Sequence, residues 1–419
     1  MIAVKKSSDR KLFSFLEKNI LAYPKTNAIK KLLNEVLLWI YTFNTIFVPY
    51  DNFMLKKLSF VMLIMLNILG IVNYLFRGRE SMMIVVFGII MPIYTIVKSY
   101  ALTGNLTGNL LSGYTGMIIL LYYVIKKYKI NYGMIFNVCL LMLASFICVS
   151  VIMDFVGFMS VFQNPVLRWM HLTDNAEIGK GGQYFSGYYI FIKTTPMMIV
   201  GVAYQIDRKN IPFALLLLAA LILSGTRGNA ILGLGVFAVC FVLKEERRFN
   251  RILIIVLTII AALYFIIKFD LFSVYSKYAD TKGSGDKIRK TTLPSIFMSW
   301  QEKPLSFLTG QGYTSEFYNF GRQKYESDVE LSYWNLLRRV GLGCFIVMMA
   351  GYLYPAFSML KKKIVNVKAL AYIAYLAGCY VNPLLYTSTG VTVLLYMFCI
   401  AFINQDDEKR NNIMKMIRS

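Results

Sequence analysis

Apolar runs of nearly bilayer-crossing length recur along the whole chain, and nothing else constrains its fold as strongly. A helix needs about 20 apolar residues to cross the hydrocarbon core. Twelve runs approach that length, at roughly 32–50, 57–76, 82–101, 112–125, 133–159, 188–205, 211–224, 229–243, 252–269, 339–359, 367–384 and 388–403. Lipid offers no partner to backbone N–H and C=O groups, so each run is predicted to be a helix. The predicted fold class is all-α: a polytopic integral membrane protein of about 12 transmembrane helices. Composition agrees. Of 419 residues, 57% are apolar and 16% charged, against roughly 25% charged in a typical soluble domain.

Lys and Arg between the runs predict the orientation. Segments 1–31, 77–80, 126–129, 206–210, 244–251, 361–368 and 404–419 hold 27 of them. The alternate segments hold 13, eight of which lie in one long loop and count weakly. Both termini are therefore expected in the cytoplasm. The expected organisation is a cytoplasmic segment 1–31, helices 1–9 over 32–269 with a medium external loop at 160–187, a large external loop 270–338, helices 10–12 over 339–403, and a cytoplasmic tail 404–419. Residues 1–31 are polar and carry eight Lys/Arg, so no cleavable signal peptide is expected. The net charge of +23 is then chiefly an orientation signal, not a mark of a nucleic-acid partner.

Several chemistries find no support. His171 is the single histidine, so no His-rich metal site is expected. The six cysteines are scattered through apolar runs without a C-x-x-C, which points to buried thiols. No Walker loop, G-x-G-x-x-G or H-E-x-x-H occurs. Metal and cofactor are both expected to be none.

The informative residues lie on the external side. Ser224-Gly225-Thr226-Arg227-Gly228 joins two apolar runs with almost no loop, which leaves a permanent cation at the membrane surface. Arg227 there either meets a substrate phosphate or snorkels to lipid phosphate. Residues 328–343 are predicted to form one helix re-entering the membrane, with Glu330, Trp334 and Arg338 on a shared face beside Arg339 and Asp328. That face offers a carboxylate, an aromatic platform and a phosphate clamp, or alternatively an interfacial anchor. Arg168 begins an R-x10-G spacing closed by Gly179. Lys193 and Asp154, in neighbouring runs, are expected to pair with each other. The long loop interleaves aromatics (Trp300, Phe307, Tyr313, Phe317, Tyr318, Phe320, Tyr325) with carboxylates and basic groups, a mixture suited to a sugar-diphosphate.

These motifs together resemble the bacterial O-antigen polymerase (Wzy-type) and O-antigen ligase superfamily. The resemblance rests on the S-x-[ST]-R-G turn at Ser224–Gly228 and on Trp300-Gln301-Glu302-Lys303-Pro304 followed by Gly310-Gln311-Gly312-Tyr313. It rests also on the polar-aromatic stretch from Asp328 to Gly343. Ligases carry a histidine near the place of Glu330 to Ser332, and this chain has none, which favours polymerase over ligase. The resemblance implies a metal-independent glycosyltransferase that joins undecaprenyl-diphosphate-linked oligosaccharides at the periplasmic face. Its implied catalytic residues are Glu330, Arg227 and Arg289, although Arg289 matches loosely because Trp300 stands where a glycine would close R-x10-G. Its implied substrate-binding residues are Arg168, Arg338, Arg339, Trp334 and Asp328. The partners implied are the lipid-linked oligosaccharide, membrane lipid and a chain-length regulator protein. The alternatives are a ligase acting on lipid A-core and a lipid-linked oligosaccharide flippase. A flippase should show internal repeats and midplane charges, and neither is seen.

Overall fold

Asparagine and threonine side chains start many of the helices that the apolar runs predict. The computed structural model describes residues 24–50, 53–75, 79–182, 184, 186–244, 256, 284–362, 366–380 and 382–403. It is 75% helical with few strands. Six helices are long and apolar enough to cross a membrane: α2 (Leu55–Tyr74), α3 (Glu80–Thr103), α4 (Leu106–Tyr128), α5 (Tyr132–Phe155), α9 (Arg227–Lys244) and α13 (Leu342–Lys361). Around them lie α1 (Pro24–Phe47), α6 (Pro165–Leu172), α7 (Met198–Asp207), α8 (Ile211–Leu223), α14 (Val367–Gly378) and α15 (Ser388–Ile403). Asn105, Asn131, Asn164, Asn366 and Thr387 accept backbone N–H bonds at the starts of α4, α5, α6, α14 and α15. Each of these supplies an acceptor that the first helical turn otherwise lacks. In α3, Pro92 removes one backbone donor, and the helix widens into a π-turn at Val86–Ile90 just before it.

The two helices deepest in the bundle are short. Met198–Ile206 of α7 and Ser388–Phe398 of α15 are buried at every position. A helix surrounded by protein needs no lipid-facing stripe, and neighbours rather than lipid set its length. α7 packs on α8, α9 and α14, and α8 packs on α5. Two buried tyrosines tie α15 to its neighbours: Tyr41 of α1 bonds Thr392 at 2.9 Å, and Asn137 of α5 donates to Tyr396 at 3.1 Å. The six cysteines are unpaired. Cys139, Cys240, Cys379 and Cys399 are buried, and Cys148 and Cys344 are half-buried.

Two predicted spans are corrected. The run 188–205 is not one helix. Residues Tyr188–Ile192 form strand β2, antiparallel to β1 (Ala176–Lys180), and only Met198–Asp207 is α-helical. Tyr-Tyr-Ile-Phe-Ile is rich in aromatic and β-branched residues, which favour strand once a partner is present. The continuous helix predicted over 328–343 is also broken. It consists of α12 (Ser332–Val340) and the start of α13, separated by Gly341 at φ +81°, ψ +165°. Asp328 and Glu330 precede α12 and do not share a helical face with Trp334 and Arg338. The run 252–269, apart from Val256, lies outside the described residues, as do segments 1–23, 257–283 and 404–419.

Residues 284–340 build a small unit of their own. It contains α10 (Ser284–Glu302), α11 (Leu305–Thr309), the hairpin β3 (Phe317–Asn319) and β4 (Lys324–Glu326), and α12. Ile296, Trp300, Phe317, Val329 and Leu337 form its core. Its attachment to α13 explains the paired G-x-G motifs. The backbones of Gly310 and Gly341 touch, each at positive φ, and a Cβ on either would overlap main-chain atoms of the other. Gln311 N–H donates to Arg338 C=O at 2.8 Å and Gly312 N–H to Arg339 C=O at 2.9 Å across this crossing.

Candidate functional site

The Ser224–Gly228 turn packs against the β1–β2 hairpin at Tyr188 and Tyr189, and the charge of Glu330 is felt at the Tyr189 phenol. α8 ends at Leu223 and α9 begins at Arg227, so the turn has three residues. Ser224 is buried. Its hydroxyl donates to Leu221 C=O at 2.6 Å and is hydrogen-bonded to Thr226 Oγ1 at 2.9 Å. Gly225 has φ +72°, and a Cβ there would stand 2.5 Å from Tyr189 Cδ2 and 2.7 Å from the Tyr188 carbonyl oxygen. Only glycine lets β2 lie across the turn so closely. Arg227 is exposed at the first position of α9. The positive end of the helix adds to its guanidinium, which makes this point attractive to anions.

The Tyr189 ring stacks on Tyr184 with centroids 5.2 Å apart, and its hydroxyl donates to Glu177 Oε2 at 3.0 Å. Burial first, then the charge and hydrogen bond of Glu177, raise the phenol far above its ordinary value, and Glu330 adds to the effect. The phenol therefore stays neutral, a hydrogen-bond donor to Glu177. Gly179, which closes the spacing from Arg168, leaves room for the Tyr184 hydroxyl over its Cα. Glu330 is 38% exposed, and Arg322 Nη2 lies 3.4 Å from its carboxylate. Arg322 also bonds Glu326 at 3.0 Å, so one guanidinium ties the hairpin to Glu330.

The other expected site residues divide. Asp328 is 65% exposed; it accepts a 2.6 Å bond from Asn335 and faces Arg339 at 3.5 Å. Arg339 donates to Ser327 C=O at 2.7 Å. Arg338 is turned inward, opposite to the exposed phosphate clamp expected of it, with 0% exposure. Its Nη1 reaches Gln311 Oε1 at 3.2 Å and Ser315 O and Oγ at 3.0 and 2.9 Å, while Nη2 reaches Ser327 O at 2.7 Å and Asn335 Oδ1 at 3.1 Å. The guanidinium also lies 4.6 Å above the Phe317 ring. Burial, then the neighbouring Arg339, lower Arg338 to about 9, so it remains a cation at neutral pH. Its role in this geometry is to clamp residues 311–327 to α12. Trp334 likewise packs against Phe297 and Trp300. Arg168 is exposed on α6, which packs on β1, and makes no ion pair among the described residues. Arg289 falls in the first turns of α10, where side chains lie outside the described residues.

The expected Asp154–Lys193 pair does not form. Asp154 pairs with Lys180 at 2.8 Å and raises its ammonium pKa, while Lys193 donates to the Tyr50 hydroxyl at 2.8 Å and lies over that ring. β1 brings Lys180 closer to α5 than β2 brings Lys193. His171 Nδ1 is 3.3 Å from Ala176 C=O, a structural contact within the hairpin approach. Among the described residues no group of three or more His, Cys, Asp or Glu is placed to hold a metal ion. Neither Tyr184 nor Tyr189 is singled out by the sequence: Tyr189 falls in the predicted span 188–205, and Tyr184 and Glu177 in the predicted loop 160–187. The dense Tyr/Phe content of residues 184–191 beside a glycine pair at Gly181 and Gly182 was the available hairpin signal. No protein-family model, no curated protein and no solved structure matches this chain.

Proposed function

We propose that the chain is a polysaccharide polymerase of the O-antigen (Wzy) type, for O-antigen or capsule, that joins undecaprenyl-diphosphate-linked oligosaccharide repeats at the periplasmic face of the inner membrane. The observation that supports this reading is an exposed Arg227 at the positive end of α9, next to a turn whose Gly225 packs against Tyr189, the phenol that is bonded to Glu177. A twelve-span topology with both termini cytoplasmic belongs to the same proposal.

In the proposed reaction a terminal sugar hydroxyl of the acceptor attacks the anomeric carbon of the donor glycan. The new C–O bond forms as the bond from that carbon to the diphosphate oxygen breaks, and undecaprenyl diphosphate leaves with the electron pair. Glu330 takes the hydroxyl proton, as its 38% exposed carboxylate is reachable. Asp328 is the weaker base because Asn335 and Arg339 already engage it. Arg227 meets the charge that develops on the diphosphate. Tyr189 positions Glu177 and lies against the turn.

The test is polymer laddering in cells. Arg227→Ala should reduce polymerisation about 10²–10³-fold, as loss of one preorganised donor commonly does. Arg227→Lys should recover part of it, since an ammonium supplies charge without the fork. Long-chain ladders equal to wild type in both variants, at equal membrane levels, would overturn the reading. Deletion of the chain should leave single repeat units on the surface lipid, whereas loss of a ligase or flippase leaves none.

A further inference from the structure

The 284–340 unit contains a cleft of about 560 Å³ that the proposed reaction centre does not use. One wall is the outer face of the β3–β4 hairpin. Tyr318 and Tyr325 are cross-strand partners, so their rings share that face, with centroids 5.4 Å apart. Phe320 adds a third ring, 5.4 Å from Tyr318. These rings are 39%, 69% and 43% exposed in the order Tyr318, Tyr325, Phe320. The opposite residues, Phe317 and Glu326, point into the unit and are buried. Three exposed rings on one short hairpin, two on its strands and Phe320 in its turn, are costly in water unless something covers them.

The remaining lining is polar and rigid. Glu302 and Glu316 are exposed carboxylates at the cleft, beside Lys303. The Gln311 carboxamide forms part of the floor and is fully engaged, donating to Ser299 and Ser306 and accepting from Arg338. Thr314 bonds Thr103 at 3.0 Å and fixes the floor to the end of α3. Two carboxylates against one ammonium repel a diphosphate or an anionic lipid headgroup. They suit instead a ligand with many hydroxyl donors and an apolar C–H face to lay on tyrosine.

We propose that this cleft is a saccharide site that holds the sugar part of a growing or incoming chain, for neutral or amino sugars rather than for the diphosphate. The proposal rests on the polymerase reading for its biological ligand. The hairpin connects the two places: Arg322, in its turn, reaches Glu330. A glycan stacked on Tyr318 and Tyr325 would thus run toward the carboxylate that takes its proton.

The test is binding without turnover. The probe is a set of oligosaccharides of one to three repeats, released by mild acid from the producing strain's own surface polysaccharide and so lacking diphosphate. The full chain in lipid nanodiscs should give saturation-transfer NMR signals from these sugars. Tyr325→Ala and Glu316→Gln should each weaken binding about tenfold or more, a loss of 1.4 kcal/mol, while Tyr325→Phe, which keeps the stacking face, and Arg227→Ala should retain it. Unchanged affinity in Tyr325→Ala and Glu316→Gln overturns the proposal. So does a Tyr325→Ala variant whose only change is weaker partition into phosphatidylglycerol vesicles, which would make the rings a lipid anchor. A normal ladder in Arg227→Ala beside lost sugar binding in Tyr325→Ala would remove the polymerase reading and leave the saccharide site standing.

Discussion

Gly341→Ala should unfold the junction between the 284–340 unit and α13, although it adds a single methyl group. Gly341 has φ +81° and ψ +165°, a region that essentially only glycine occupies. Holding alanine there costs about 1–3 kcal/mol. The added Cβ would also overlap Gly310 N, Leu308 O and Thr309 C, all main-chain atoms that no side-chain rotation can move aside. Relief requires the two backbones to separate, which breaks the Gln311–Arg338 and Gly312–Arg339 bonds. At about 0.5–1.5 kcal/mol each, the total reaches roughly 2–6 kcal/mol, a large share of the 5–15 kcal/mol typical of a folded domain. The assay is thermal unfolding of the purified chain in detergent, with Gly343→Ala as control. Gly343 stands two residues away in the same G-x-G, inside α13, and a Cβ there meets nothing within 4 Å. Its alanine variant should melt at or slightly above wild type, because a helical glycine costs about 0.5–1 kcal/mol relative to alanine. If both variants melt alike, the crossing is not what these glycines are for.

Arg338→Lys should lower stability by about 3 kcal/mol, since one ammonium cannot reach Ser315 and Ser327 together and loses one or two charge-assisted bonds; thermal melts check this, and an unshifted transition refutes the clamp. The β3–β4 hairpin should loosen in acid. Burial alone would raise the Glu326 pKa, but bonds from Arg322, Lys324 and Asn319 hold it below 4.5. A depressed carboxylate stabilises above its ordinary value and loses that contribution as pH falls through the lowered one. Protection factors across residues 317–326, taken against the intrinsic exchange rate at each pH, should therefore fall between pH 5 and pH 3, roughly spanning that range, and equal protection at both would refute the network. Gly225→Ala should displace Tyr189 and cost about 1–2 kcal/mol from its positive φ alone. Gly228→Ala, with open space around it, should match wild type in melting and in laddering.

Long apolar runs were readable because lipid exposure leaves a 20-residue signature in the residues themselves. α2, α3, α4, α5, α9 and α13 all carry it. The errors fall where tertiary partners decide. Tyr188–Ile192 is apolar enough to be read as the start of a helix, and only its pairing with Ala176–Lys180 makes it a strand. Asp328 to Gly343 has helical spacing throughout, yet contact with Gly310 breaks it at Gly341. Among site residues, the exposure of Arg227 beside a tight turn was legible, because a cation between two closely joined apolar runs has to lie at their ends. Arg338 was misread because two adjacent arginines look alike in a string of letters. Helical geometry turns one inward, to 0% exposure, and leaves its neighbour at the rim with an 18% exposed side chain. Tyr189 was invisible because its importance comes from Glu177, Gly225 and Glu330, which lie 12, 36 and 141 positions away.

On the proposed function, the separation of charges on these elements bears on how one protein would handle both ends of a lipid-linked glycan. A diphosphate and an uncharged sugar need opposite electrostatic surroundings, and a single pocket cannot offer both. Here the exposed cation lies at the start of α9, while the two cleft carboxylates lie on residues 302 and 316 of a different unit. Arg322 is bonded to both Glu330 and Glu326 of the cleft-forming hairpin. If the hairpin tilts, Glu330 tilts with it, because the same guanidinium holds both. On that reading, Arg322 links the cleft that would hold the acceptor sugar to its base, while α9 carries the cation that would meet the leaving group. Binding energy gained where the glycan stacks can then orient a hydroxyl several sugars away from any charge, which is the arrangement a processive or repeat-adding transferase requires.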